Sequence, residues 1–138
     1  MKSLVSQEVP NTHIGSLRLH TKVPSPPFAL IVPESITVHS EGIQHSEVVE
    51  KHNIVVAVST NTPNPFMELV GLTLRVVSKL QQTALEDLPD ASFKALDITE
   101  VLFDTHPEAA ELGLITATIT VQVTYYGFNP TVVRLRHP

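Results

Sequence analysis

The chain contains no cysteine, which excludes disulfides, thiolate metal sites and a cysteine nucleophile. Basic residues are few: nine Lys and Arg stand against fourteen Asp and Glu, a formal charge of −5. Nucleic-acid binders hold phosphates with a basic patch or stripe that supplies most of their affinity. Here the basic side chains are scattered (Lys22, Lys51, Arg75, Lys79, Lys94, Arg134, Arg136), so no grip on a nucleic-acid backbone is expected. Long apolar runs are missing too. The longest, residues 28–32 and 54–58, have five residues each, against the ~20 of a membrane-spanning helix. Residues 1–8 hold no apolar stretch of the ~7–15 residues that a secretory signal needs. The default expectation is a soluble intracellular protein. No G-x-G-x-x-G or Walker loop links a strand to a helix, and no G-x-S-x-G elbow is present.

What remains is globular in composition. The 138 residues are 42% hydrophobic and have a mean hydropathy of +0.12, enough for one domain with its own core. Three parts are expected: an N-terminal arm over residues 1–27, a single α+β domain over 28–126 and a C-terminal tail over 127–138. Prolines 24, 26 and 27 make the end of the arm an extended connector. Ile14, Leu17, Leu19 and Val23 suit a short strand or a docked arm, ordered on contact.

Residues 28–32, bounded by Pro27 and Pro33, read as a buried strand that Ile36, Val38 and Ile43 continue weakly. The polar stretch from His39 to His52, which holds Gly42, reads as a loop or hairpin turn. Residues 53–60, apolar at consecutive positions from 54 to 58, read as a strand covered on both faces. Asn64 suits a helix N-cap and Pro65 the first helical position, where its missing N–H is harmless. The helix is predicted to run to about Ala84. At ~100° per residue, Phe66, Met67, Leu69, Val70, Leu72, Leu74, Val76, Val77, Leu80 and Ala84 share one arc, wider than the ~100° stripe a single-sided helix needs. The excess calls for a second partner, another element or another subunit. Residues 93–103 read as a strand whose phase changes near Glu100, the mark of a bulge. Residues 104–113 read as an acidic loop. Ile115, Ala117, Ile119, Val121, Val123 and Tyr125 then alternate strictly with Thr116, Thr118, Thr120, Gln122 and Thr124, a long strand with one core face and one polar face. Residues 131–136 suit a last short strand. The expected fold is α+β, a mostly antiparallel sheet with one long amphipathic helix on a face.

Candidate chemistry is sparse. His39, His45 and His52 lie among Glu41, Glu47 and Glu50, but their gaps of six and seven residues are unlike the short spacings of zinc ligands. Ser59 and Thr60 end a strand, where catalytic groups often sit, and suit a capped strand end equally. Asp97 with Glu100 could pair as acid and base, yet both fit the solvent side of a strand. Asp104, Glu108 and Glu111 lack the glycine and spacing of an EF-hand and read as a solvated or partner-facing loop. No catalytic residue, metal site or cofactor is assigned, and the chain reads as a non-enzyme. The over-wide helix arc, the threonine-rich strand face and the two tails favour oligomerisation, ordinarily symmetric. Leu69, Leu72 and Val76 on the helix, and Thr116, Thr118 and Thr120 on the strand, are the candidate subunit contacts.

The run Leu96-Asp97-Ile98-Thr99-Glu100-Val101-Leu102-Phe103-Asp104, an acidic loop and then Leu112 through Tyr126 resemble the end of the tail terminator proteins of long-tailed bacteriophages, minor tail protein U and its relatives. The upstream order is similar: a proline-flanked strand at 28–32, a variable loop, the strand at 53–60 and the helix from Phe66 to Ala84. The resemblance covers residues 24–126 as a pattern of elements and residue classes. It implies a virion protein of the tail or neck, assembled in the host cytoplasm as a homohexameric ring. Such a ring caps the tail tube, stops its polymerisation and offers a surface to the head-side connector. Its partners would be itself, the tail tube protein and a connector or neck protein, with DNA passing the bore unbound and no membrane involved. An acidic chain suits such a bore, since like charge opposes binding. Another phage neck or head–tail connector ring is the alternative implied by the same resemblance, and a small α+β enzyme or ligand-binding domain is the third reading.

Overall fold

Seven residues at the N-terminus already form a helix. The computed structural model describes residues 1–15, 24–40, 45–85, 93–103 and 107–128. In chain order these form α1 (Lys2–Glu8), β1 (Thr12–Ile14), β2 (Phe28–Ser40), β3 (His45–Ser59), α2 (Pro65–Leu85), β4 (Phe93–Leu102), α3 (Pro107–Glu111) and β5 (Leu114–Phe128). The fold class is α+β. The five strands form one sheet in the order β1-β2-β3-β5-β4. Three junctions are antiparallel and β1 joins β2 in parallel, so the sheet is mixed.

Residues 1–15 pack against the rest of the sheet and its core, as α1 and the short strand β1. Val5 and Val9 are fully buried in the main core, with Met1 and Leu4 packed against it. Positions 1, 4, 5 and 9 form a helical stripe, too short to stand out as periodicity. The helix ends where the Val9 N–H donates to the Val5 carbonyl and Val9 turns extended. The Thr12 hydroxyl then donates to the Val9 carbonyl, and the Asn11 side-chain amide donates to the Ser25 carbonyl over 2.8 Å. β1 is thereby set beside the start of β2, Thr12 opposite Ala29 and Ile14 opposite Ile31. A cis peptide bond joins Pro26 to Pro27 just before β2.

β3 and β5 are the central pair, in unbroken register from His45↔Phe128 to Ser59↔Leu114. α2 lies on one face. Leu69, Leu72, Val76 and Leu80 from the helix, Ile54, Val56 and Val58 from β3, and Ala117, Ile119, Val121 and Val123 from β5 share one core. The Asn64 carbonyl accepts from the Glu68 N–H, the first helical bond, as expected of an N-cap residue followed by Pro65. A smaller core sits on the opposite face, where Phe28, Leu30, Ala57 and Leu114 meet Ala109 of α3. β3 is therefore covered on both faces near its end, as its unbroken apolar run implies. Gly113 carries the chain from α3 into β5 with φ +71, a left-handed conformation that favours glycine. Its carbonyl accepts from both the N–H and the hydroxyl of Thr60.

The strands differ from the sequence reading in one consequential way. Of the two alternatives for the stretch from His39 to His52, loop or hairpin, the antiparallel pairing of β2 and β3 up to Ser40↔Ser46 fits the hairpin, but with far more strand than expected: β2 runs through Ser40 and β3 starts at His45, with the register shift of β2 between Pro33 and Ser35. Cross-strand pairing overrides the weak local preference of these polar residues. The acidic stretch contains the short helix α3, and β5 extends to Phe128. In β4 a register shift falls between Ile98 and Glu100, where the change of phase predicts a bulge. Asp104, residues 16–23, residues 41–44 and the final strand expected at 131–136 lie outside the described residues.

Candidate interaction surface

The residues singled out for chemistry do not converge. His39 stands on β2 opposite Glu47, exposed. His52 is five residues further along β3 than Glu47, about 16 Å at the rise of a strand, and on the other face. Its Nε2 lies 3.2 Å from Glu50 Oε2, and its Nδ1 is buried without a partner. His45 opens β3. Among the described residues no three His, Asp or Glu side chains are grouped to hold a metal ion. Ser59, Thr60 and Asn61 are spent on the turn after β3: the Ser59 hydroxyl accepts from the Asn61 N–H at 3.1 Å and the Thr60 hydroxyl donates to Gly113 at 3.0 Å. Asp97 and Glu100 are exposed on β4, opposite Gln122 and Thr120. Glu108 and Glu111 lie on α3, Glu111 exposed at its end.

The proposed subunit contacts need correction. Leu69, Leu72 and Val76 are buried in the chain's own core, against β3 and β5, and cannot reach a second subunit without unfolding the first. The helix arc reads as over-wide because part of it is spent on the sheet. The remainder is where the free surface lies. Thr116 is buried as well. Thr118 and Thr120 are half-buried on the face away from α2, where the Thr120 hydroxyl donates to Asn53 Oδ1 over 3.1 Å. The Thr99 hydroxyl donates to the Thr120 carbonyl over 3.4 Å. These threonines belong to a hydrogen-bonded polar layer.

Apart from Ile14, Leu102 and Leu112, the exposed large apolar side chains among the described residues fall in two areas. One is on α2 and just past the end of β4: Phe66, Met67, Leu74 and Phe103 are exposed, whereas Leu102, exposed too, pairs with Thr118 and lies on the opposite face of the sheet. The other is on β2, where Ile36 is 66% and Val38 53% exposed. Pairing with Glu50 and Val48 puts these two on the α2 side of the sheet, past the reach of the helix cover. Ile36 also borders a shallow open depression with Pro33, Glu34, Ser35, Glu50 and His52. The alternation of Ile36 and Val38 was the available signal for this surface, masked by the polar residues between and after them.

Among the described residues the edges of the sheet are open as well. β1 covers β2 only from Ala29 to Ile31. Among the described residues no strand pairs with the outer edge of β2 beyond that point, nor with the outer edge of β4. α1 and α2 are tied at the surface by Glu8 and Arg75, 3.9 Å apart and solvent-exposed, a pair of little energetic weight. No helix of the described residues is long and apolar enough to cross a membrane. No protein-family model matches this chain, and no curated protein matches it either.

Proposed function

We propose that this chain is a ring-forming structural protein of a phage tail, a tail terminator that caps the tail tube, stops its growth and presents a surface to the head-side connector. The observation that carries the reading is the uncovered arm formed by β2, β3 and β5. A fifteen-residue strand such as β3 spans about 50 Å, and a helix of 21 residues about 31 Å. The far end of the sheet is therefore bare of α2, with Ile36 and Val38 in water beside an edge that no described strand pairs. Open edges with apolar side chains are a liability for a monomer, and closure into a ring removes them. The element order is compatible with the same reading: β2, β3, α2, β4 and β5 follow the strand, strand, helix, strand, strand order of the resemblance, with α1 and β1 before them and α3 between β4 and β5. The formal charge of −5 is compatible with a bore through which DNA slides.

The test is addition of the purified chain to polymerising tail tubes, imaged by negative stain. The reading expects a ring at one end of each tube and a narrowed length distribution. A ring bound to the connector end of heads, with tube lengths unaltered, would assign the chain to the neck instead. Tubes and heads both left bare would refute the ring reading.

A further inference from the structure

We propose, resting on the ring reading above, that the exposed side of α2 around Phe66 is the seat for the β2–β3–β5 arm of a second copy of this chain. Phe66, Val70 and Leu74 recur every fourth residue, and Met67 lies beside them on the outward side of the helix. Phe66 is 58%, Met67 70% and Leu74 55% exposed. Phe103, just past the end of β4, joins them: its ring centroid is 5.9 Å from that of Phe66, with the planes tilted by 58°. Together Phe66, Met67, Leu74 and Phe103 leave on the order of 500 Å² of side chain in solvent, at the upper end of the largest patch on an ordinary monomer. A standard interface buries ~800 Å² per partner, so this apolar area would form the centre of one rather than the whole. Two phenylalanines and a methionine are also the residue types that interface centres favour.

The occupant follows from the rest of the chain. Ile36 and Val38 face the same side of the sheet as α2 but stand on β2, towards the opposite edge from β4. They are also at the opposite end. Val38 is level with Val48, and Leu102 is level with Val55 through Thr118. Seven residues of β3 separate the two levels, about 23 Å. Two unlike apolar areas at opposite edges and opposite ends are matched by a head-to-tail contact, arm of one copy on helix of the next. Such heterologous contacts close into a ring when the rotation per step divides a full turn.

The absence of cysteine makes the contact directly testable. Ile36→Cys and Phe103→Cys are prepared in the full chain, singly and together, and oxidised with copper phenanthroline. The double variant is expected to give a ladder of disulfide-linked species ending at the subunit number of the ring, and each single variant none. Self-crosslinking of Phe103→Cys alone would overturn the proposal in favour of a two-fold, patch-on-patch dimer. Wild-type rings with no crosslink in the double variant would overturn this contact and leave the ring reading standing. Failure of the wild-type chain to form rings, alone or on tail tubes, would overturn both. Phe66→Asp, checked for its fold by circular dichroism, is expected to shift mass from ring to monomer, and undiminished rings would refute the assignment of α2.

Discussion

Thr73 offers a sharp test of the core. It sits on the buried face of α2 with no exposed surface, and its hydroxyl oxygen has no hydrogen-bond partner. A buried hydroxyl without a partner loses its water contacts for nothing, a cost of about 1–3 kcal/mol. Thr73→Val keeps the branched shape and nearly the same helix propensity, removes that cost and buries a methyl group worth at most ~0.8 kcal/mol. The net expectation is a gain of about 1–2 kcal/mol. For a chain of this length that corresponds to a rise in Tm of roughly 3–8 °C, and to a shift of the urea midpoint on the order of 1 M at unchanged slope. Thr12 supplies the contrast. It is equally buried, but its hydroxyl donates to the Val9 carbonyl, so Thr12→Val should lose about 1–2 kcal/mol. Equal signs for the two substitutions, measured by thermal and urea denaturation followed by circular dichroism, would refute the argument. A loss at Thr73 would mean that its hydroxyl is bonded.

Other substitutions address other parts of the fold. Gly113→Ala forces a side chain into the left-handed region between α3 and β5 and should cost about 1–2 kcal/mol in the same denaturation assay. Val5→Ala should cost about 2 kcal/mol, because Val5 is fully buried; a change within 0.5 kcal/mol would contradict the packing of α1 in the core. Leu72→Glu with Val76→Glu should abolish folding, since two ionised carboxylates in the core cost several kcal/mol each. Soluble, folded protein from that double variant, seen by circular dichroism, would contradict the placement of this helix face against β3 and β5.

The features legible in the chain are those with long, regular patterns. The alternation of residues 115–125 marks β5 and its two faces, and Asn64-Pro65 with the apolar arc marks α2 to within a residue or two. The bulge near Glu100 is legible because it breaks an alternation. What escaped the reading is short or depends on distant partners. α1 has only two turns, so four buried or half-buried side chains carry its signal. The outer halves of β2 and β3 are strands because each pairs with the other and β3 with β5, not because His39, Glu47 or Lys51 favour strands. The exposed surface was the least legible. Phe66 and Leu72 belong to the same arc of one helix, and only the position of the sheet decides that Leu72 is core while Phe66 faces solvent.

Closure of this chain into a ring, as proposed, would go through surfaces that the described residues leave bare. The most direct measurement is native mass spectrometry of the purified chain, alone and with tail tubes, with negative-stain images of the same samples. Six chains of 15.1 kDa make about 91 kDa, and the account predicts that mass, or a closed ring near it, with an open centre in the images. A monomer or dimer that stays so in the presence of tubes would contradict it.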